Sequence, residues 1–315
     1  MSVNKFFIGH SNNGKIRYQS SSGGIGTELI KYLLSTTDYN TTITFVFDKE
    51  KCGYVPKFIH RFEEMNICGS IYQDIDIVSY IRQNYVQIKD GVVITCMPCQ
   101  VKTIRLFLKK KNIKNFIISF ACSGQTILEG TWCYYKFMNI DKHDVACIQY
   151  RGNGWPSGIQ VKLNNGHKIY RDNYSEPWRT IHQSRLYRPK RCLMCKEPMS
   201  FNADISLADP WLKEYKKSDA IGNTLFVINT ERGASILSVL RKKNIVSVIQ
   251  ASYQDYKISQ EPNISAKDNC KNHKYLNQLL GSVAKEKCWY KKIVTSSLSM
   301  LKIHVQFISL LQRFI

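Results

Sequence analysis

Hydrophobic and polar positions alternate in two rhythms along the first 140 residues. ITFVFD (43–48) reads as a strand, whereas IDIVSYIRQNYVQI (75–88) spaces its apolar residues as an amphipathic helix does. GVVIT (91–95) is a continuous apolar run of the buried-strand type, and QVKTIRLFLKKK after it is a helix with a basic last turn. NFIISFA (115–121) is a second buried strand, and a helix follows through Trp132 to Met138. This β-α-β-α order predicts an α/β fold, a parallel or mixed sheet covered by helices.

Farther along, IQVKL and HKIYR flank the turn residues NNG and predict a β-hairpin insertion. NTLFVIN (223–229) reads as a strand, ERGASILSVLRKK as a helix and IVSVIQ (245–250) as a strand. The pattern divides the chain into an α/β catalytic domain over 1–255, an irregular connecting segment over 256–290 and a C-terminal amphipathic helix over 291–315. In that helix Val294, Leu298, Leu301, Val305, Ile308 and Ile315 form a stripe, with Lys291, Lys292, Lys302 and Arg313 outside it. Such a stripe faces a protein core, on its own domain or on a second copy; the alternative is an anionic membrane surface.

Composition narrows the setting. Hydrophobic residues make up 43% and charged residues 22% of the 315, as expected of a folded globular chain. The opening MSVNKFFIGHSNNGKIRYQ lacks the pattern of a secretory signal, and no apolar run is long enough to span a bilayer. Eleven cysteines, an odd number without an export signal, point to reduced thiols in the cytoplasm, some of them metal ligands. Cys52, Cys68, Cys133 and Cys147 read as small buried hydrophobes. The net charge of +21 asks for an anionic partner, but its lysines are scattered and no nucleic-acid-binding motif accompanies them. Specific nucleic-acid binding is not expected.

Four stretches carry candidate chemistry. SSSGGIGTELIKYLL (20–34) runs a small-residue loop into a helix, which suits a phosphate at the positive end of the helix dipole; a flexible turn is the alternative. GVVITCMPCQVKTIRLFL places C-x-P-C between strand and helix, as in a dithiol oxidoreductase. Cys96/Cys99 and Cys192/Cys195 are two C-x-x-C pairs that also suit zinc, and the second could hold one edge of an iron–sulfur cluster. In ADISLADPW (203–211), Asp204 and Asp209 suit acid–base work, although their spacing favours a capped turn. YRGNGWPSG (150–158) offers Arg151 and Trp155 for a phosphate and a ring, or simply turns the chain.

In order, SSSGGIGTELIKYLL, GSIYQD, PCQVKTIRLFL, ACSG, YRGNGW, RCLMC and ADISLADPW resemble the coenzyme F420 hydrogenase/dehydrogenase beta-subunit family over about residues 15–240. The ordered series is more specific than any one motif. The resemblance implies an iron–sulfur flavoprotein that relays electrons from a ferredoxin-like or deazaflavin carrier, through [4Fe–4S] and FAD, to a small organic or sugar-derived substrate. Some relatives belong to bacterial surface-polysaccharide gene clusters. Carried over by motif, Cys99, Cys122, Cys192 and Cys195 would hold the cluster. Ser21, Ser22, Gly23, Gly24, Thr27, Gly69, Ser70, Gln100, Arg151 and Trp155 would hold FAD. Cys96 stands where the family has another residue, Met97 and Ala208 replace family glycines, and the catalytic residues are not assigned. A surface of +21 would suit an acidic ferredoxin docking by electrostatic steering. Two readings outside the resemblance stay open: a zinc-stabilised binding protein, and a thioredoxin-like enzyme using Cys96 and Cys99.

Overall fold

The structure, a computed structural model, describes residues 4–36, 38–285 and 287–314, apart from the side chains of Thr36 and Phe314. Ile315 of the C-terminal stripe lies outside the described residues. The strands are β1 (Lys5–Ser11), β2 (Thr41–Asp48), β3 (Gly53–Ile59), β4 (Gly91–Cys96), β5 (Lys114–Phe120), β6 (Val145–Gln149), β7 (Gly158–Leu163), β8 (Lys168–Asp172), β9 (Ile205–Ala208), β10 (Thr224–Ile228) and β11 (Val246–Ala251). Among the described residues they form an eight-stranded sheet in the order β11-β1-β10-β9-β5-β4-β2-β3 and a three-stranded sheet β6-β7-β8. The centre of the large sheet (β2, β4, β5, β9) is parallel and its two flanks are antiparallel, so the sheet is mixed, as the sequence predicts.

Burial on both faces explains the unbroken apolar runs. Val93, Phe116 and Ile118 face the helices Ile25–Thr36 and Glu231–Lys242, while Val92, Ile94 and Ile117 face Ile77–Asn84 and Val101–Lys110. Successive side chains of a strand point to opposite faces, so a strand covered twice has no polar side to show. The predicted hairpin is β7–β8, closed over Asn164–Gly166 and extended by β6. Its core joins the helices Leu128–Phe137 and Trp178–Gln183.

Four strands lie outside the sequence reading: β1, β3, β6 and β9, the last of which falls where ADISLADPW reads as a capped turn. β1 pairs between β10 and β11, far away in sequence, so no local signal announces it. β3 carries Pro56, which an edge strand tolerates because one row of its N–H groups needs no partner.

The segment 256–290 is not irregular. Tyr253–Ser259, Glu261–Asn272 and Lys274–Val283 are helices. The middle one escapes periodicity analysis because the residues it buries are Lys267 and Cys270 rather than an apolar row. At the C-terminus, Leu298–Phe314 is a helix that docks on its own domain through Leu301, His304 and Ile308. Lys291, placed outside the stripe by sequence, is buried; it donates to the Ala284 carbonyl at 3.0 Å and lies over the Tyr187 ring. A second row, Met300, Ile303, Phe307 and Leu310, is exposed on the same helix. Among the described residues no helix is long and apolar enough to cross a membrane.

Candidate functional site

Parallel strands gather the candidate chemistry at their carboxyl ends, where open α/β sheets bind ligands. β4 ends at Cys96 and turns through Pro98–Gln100, which carries Cys99. β5 ends at Phe120, and Cys122 follows two residues later, its N–H donating to the Pro198 carbonyl at 2.8 Å. β9 ends at Ala208, beside Asp209. The short helix Lys190–Leu193 brings Cys192 to the same place, with Cys195 one turn on.

The four cysteines of the resemblance interact as one group. Cys99 shares a hydrogen bond with Cys195, and its thiol also feels Cys122 and Cys192; its proton is held more tightly than in a free thiol, chiefly through that bond. Cys195 correspondingly falls to about 5, first through the bond from Cys99, with a backbone bond at Glu197 and the Lys267 ammonium adding to the effect. Burial raises Cys122 and Cys192, against backbone hydrogen bonds from Gly124 and Gln125 and the charge of Lys267. The nest thus has four sulfurs from three chain segments, backbone donors aimed at three of them and the buried Lys267 beside it. Backbone donors and cations favour thiolates, and they are what a cysteine-ligated cluster needs to offset its negative charge. The donor set fits an iron–sulfur cluster. Among the described residues no three His, Cys, Asp or Glu side chains close around a single metal ion.

Cys96 stands apart. The last residue of β4, it is buried in the hydrophobic cluster of Ile94 and Val101, and burial pushes its thiol up to about 12. A dithiol enzyme requires a lowered thiol pKa, and the interactions of Cys99 run to the other three cysteines.

Against the nest lies a cavity of about 330 Å³. Its walls are the Ser20–Ser22 turn and Gly24, the segment 65–75, the β4 end (Thr95–Met97), the segment 120–125 and the turn Leu207–Asp209. Cys122 belongs to both the nest and this wall. Tyr72, Tyr174 and Trp211 add ring surfaces.

Residues 89–253, just over half the chain, match the family described as the C terminus of the coenzyme F420 hydrogenase/dehydrogenase beta subunit. The chain belongs to this family. The matched region holds all four cysteines, whereas the SSSGG loop and the helix bearing Lys267 lie outside it. Among solved structures, the F420-reducing [NiFe] hydrogenase complex from Methanosarcina barkeri contains a chain of the same fold. The TM-score is 0.62 at 16% identity, over 87% of this chain and 91% of that one. No curated protein matches.

Within this family member the residues expected at FAD divide in two. Ser21, Ser22, Gly24, Thr27, Gly69, Ser70, Gln100 and Arg151 line the cavity; Gly23 and Trp155 do not. Several are engaged with one another. The Ser70 hydroxyl donates to Ser21 Oγ at 2.9 Å, and Gln100 Oε1 accepts from the Met97 N–H at 3.0 Å. The N–H of Gly23 donates to Thr224 Oγ1, so it is not free for a phosphate. Gly69 has φ +66° and packs so tightly that a Cβ there would lie 2.1 Å from the Arg151 carbonyl oxygen. Arg151 donates to both oxygens of Asp209, at 2.6 and 3.2 Å, and to the Ser21 carbonyl at 2.7 Å. Trp155 Nε1 donates to the same carboxylate at 3.1 Å, and its ring packs on Trp211. Arg151, Trp155 and Asp209 therefore lock three loops together behind the cavity.

Asp204 is also structural. Fully buried, it accepts from Arg105, Arg232, Thr230 and the Ile117 N–H, tying β5 and β9 to the helices Val101–Lys110 and Glu231–Lys242. The sequence reading missed Tyr72, Tyr174, Gln260 and Asn263 in the cavity wall, and Cys68, read as core, is half-buried there. It also missed Lys267. An aromatic inside GSIYQD was the one available signal for Tyr72; the others come from loops and helices that only the fold brings near.

Proposed function

We propose that this chain is an iron–sulfur flavoprotein oxidoreductase that relays electrons from a ferredoxin-like or deazaflavin carrier to a small organic or sugar-derived substrate. The carrying observation is the convergence of Cys99, Cys122, Cys192 and Cys195, with Cys122 also forming the cavity wall. Cys99, Cys122, Cys192 and Cys195 hold a [4Fe–4S] cluster, and the SSSGG turn, Gly69–Ser70 and the aromatic walls hold FAD. When bound, these groups supply one-electron and two-electron chemistry respectively.

The chain's own part is placement. The Arg151–Asp209 lock fixes the SSSGG turn against the ADPW turn, so the cavity keeps its shape when empty. Tyr72 is itself stacked on Trp178, which holds its ring steady at the wall. The cavity is at the low end of small-molecule sites, so a dinucleotide would extend past its walls. We place the protein in the cytoplasm. Its +21 charge favours an acidic carrier, and the exposed apolar row of the last helix is available for a second copy or a membrane surface.

The test is an absorption spectrum of anaerobically purified protein with iron, sulfide, zinc and flavin assayed on the same sample. About four irons per chain, the cubane stoichiometry, with bound FAD supports the proposal. Zinc without iron or flavin would replace it with the zinc-stabilised binding protein. Metal-free protein whose activity depends on Cys96 would replace it with the dithiol enzyme.

A further inference from the structure

Lys267 is among the most deeply buried side chains of the protein, 1% exposed, although it ends in an amine. It projects from Glu261–Asn272, a helix outside the family match. That helix is anchored at both ends of the site. Gln260, at its start, donates to the Asp209 carbonyl at 2.6 Å, and Cys270 Sγ approaches the Cys192 carbonyl at 3.7 Å. Between these anchors the Lys267 side chain lies close enough to Cys195, Cys122 and Cys192 to act on all three thiols.

Among the described residues no carboxylate pairs with it, and neighbouring Asp268 is taken by Lys271. Two further cations lie near the nest: Arg191 is half-exposed and already bridged to Asp74, and Arg188 donates to the Ser123 carbonyl. Burying an unpaired ammonium is costly, so the fold is built for negative charge opposite Lys267. The cysteine nest is the place where that charge arises.

We propose that Lys267 is a positioning residue that raises the reduction potential of the cluster held by the four cysteines. This rests on the cluster reading above. Reduction adds one negative charge to the cluster, and a fixed cation in a low-dielectric site stabilises the reduced form more than the oxidised one. Arg191 contributes less because Asp74 cancels most of its field and water screens the rest. The helix carrying Lys267 thus sets the energy at which electrons enter.

The experiment is an EPR-monitored redox titration of the cluster-loaded full chain, comparing wild type with Lys267→Met, Lys267→Gln and Lys267→Arg. At the potential that half-reduces the wild type, the neutral variants should show a reduced-to-oxidised ratio lower by about tenfold or more, equivalent to a midpoint about 59 mV lower per decade for one electron. Lys267→Arg should stay near wild type. Neutral variants that load the cluster and titrate with wild type overturn the proposal. If neither neutral variant loads, loading by Lys267→Arg alone supports the need for a cation, and failure of all three overturns it. A wild type that takes up no cluster refutes the cluster reading itself, a separate and visible result.

Discussion

Two buried cations flank the same site and are treated in opposite ways. Arg151, 4% exposed, has its carboxylate built in: Asp209 takes two of its hydrogen bonds and the Ser21 carbonyl a third. Lys267, more deeply buried still, faces Cys122, Cys192 and Cys195 and, among the described residues, pairs with no carboxylate. One is a finished structural lock. The other is a charge whose counterpart must be supplied by thiolates or by what they bind. The contrast separates the half of the site that keeps shape from the half that holds reactive chemistry.

The largest expected effect lies on the chemical half. Cys122→Ser or Cys192→Ser should abolish the cluster's visible absorption and its iron, whereas Cys96→Ser, buried away from the nest, should leave both unchanged. Bleaching by Cys96→Ser would erase the distinction between the nest and the neighbouring core.

On the structural half, Asp209→Asn leaves the Arg151 guanidinium buried without its anion. It should cost about 3–5 kcal/mol in urea unfolding, the usual result of orphaning a buried charge. A loss within that of an exposed substitution would mean that Arg151 finds another partner. Gly69→Ala should cost about 1–3 kcal/mol, since the residue sits at φ +66° and its new methyl meets the Arg151 carbonyl. A neutral result would show that this loop gives way easily.

The last effect is confined to acid pH. His182 is kept neutral, lowered from 6.5 to about 3 by burial first and by Arg188 and Arg185 next. The unfolded chain binds its proton from about pH 6.5 downward while the folded one refuses it. This group's stabilising contribution is therefore present above pH 6.5 and lost as pH falls toward about 3, at up to about 1.4 kcal/mol per pH unit. His182→Gln should flatten that part of the unfolding curve; an unchanged slope would assign the acid sensitivity to other groups.

What the sequence makes legible follows from how local each signal is. GVVIT and NFIISFA declare a doubly covered sheet because burial on both faces leaves an unbroken apolar run. The four cysteines are recognisable because their types and order carry the family's pattern. β1 is hidden because its partners, β10 and β11, lie near the other end of the chain. Glu261–Asn272 is hidden because its buried face is a lysine and a cysteine, a pattern that reads as polar loop until the nest opposite is known. Arg151 and Trp155 stand out in YRGNGWPSG, but their role as a brace for Asp209 depends on a contact across the fold.

The central claim is that the four cysteines hold an iron–sulfur cluster against the wall of the cavity. Its most direct test is an anomalous difference map at the iron edge from crystals grown without oxygen. The account predicts one strong peak among the sulfurs of Cys99, Cys122, Cys192 and Cys195, next to the cavity. A peak only at the zinc edge, or no peak at all in fully iron-reconstituted protein, would contradict it.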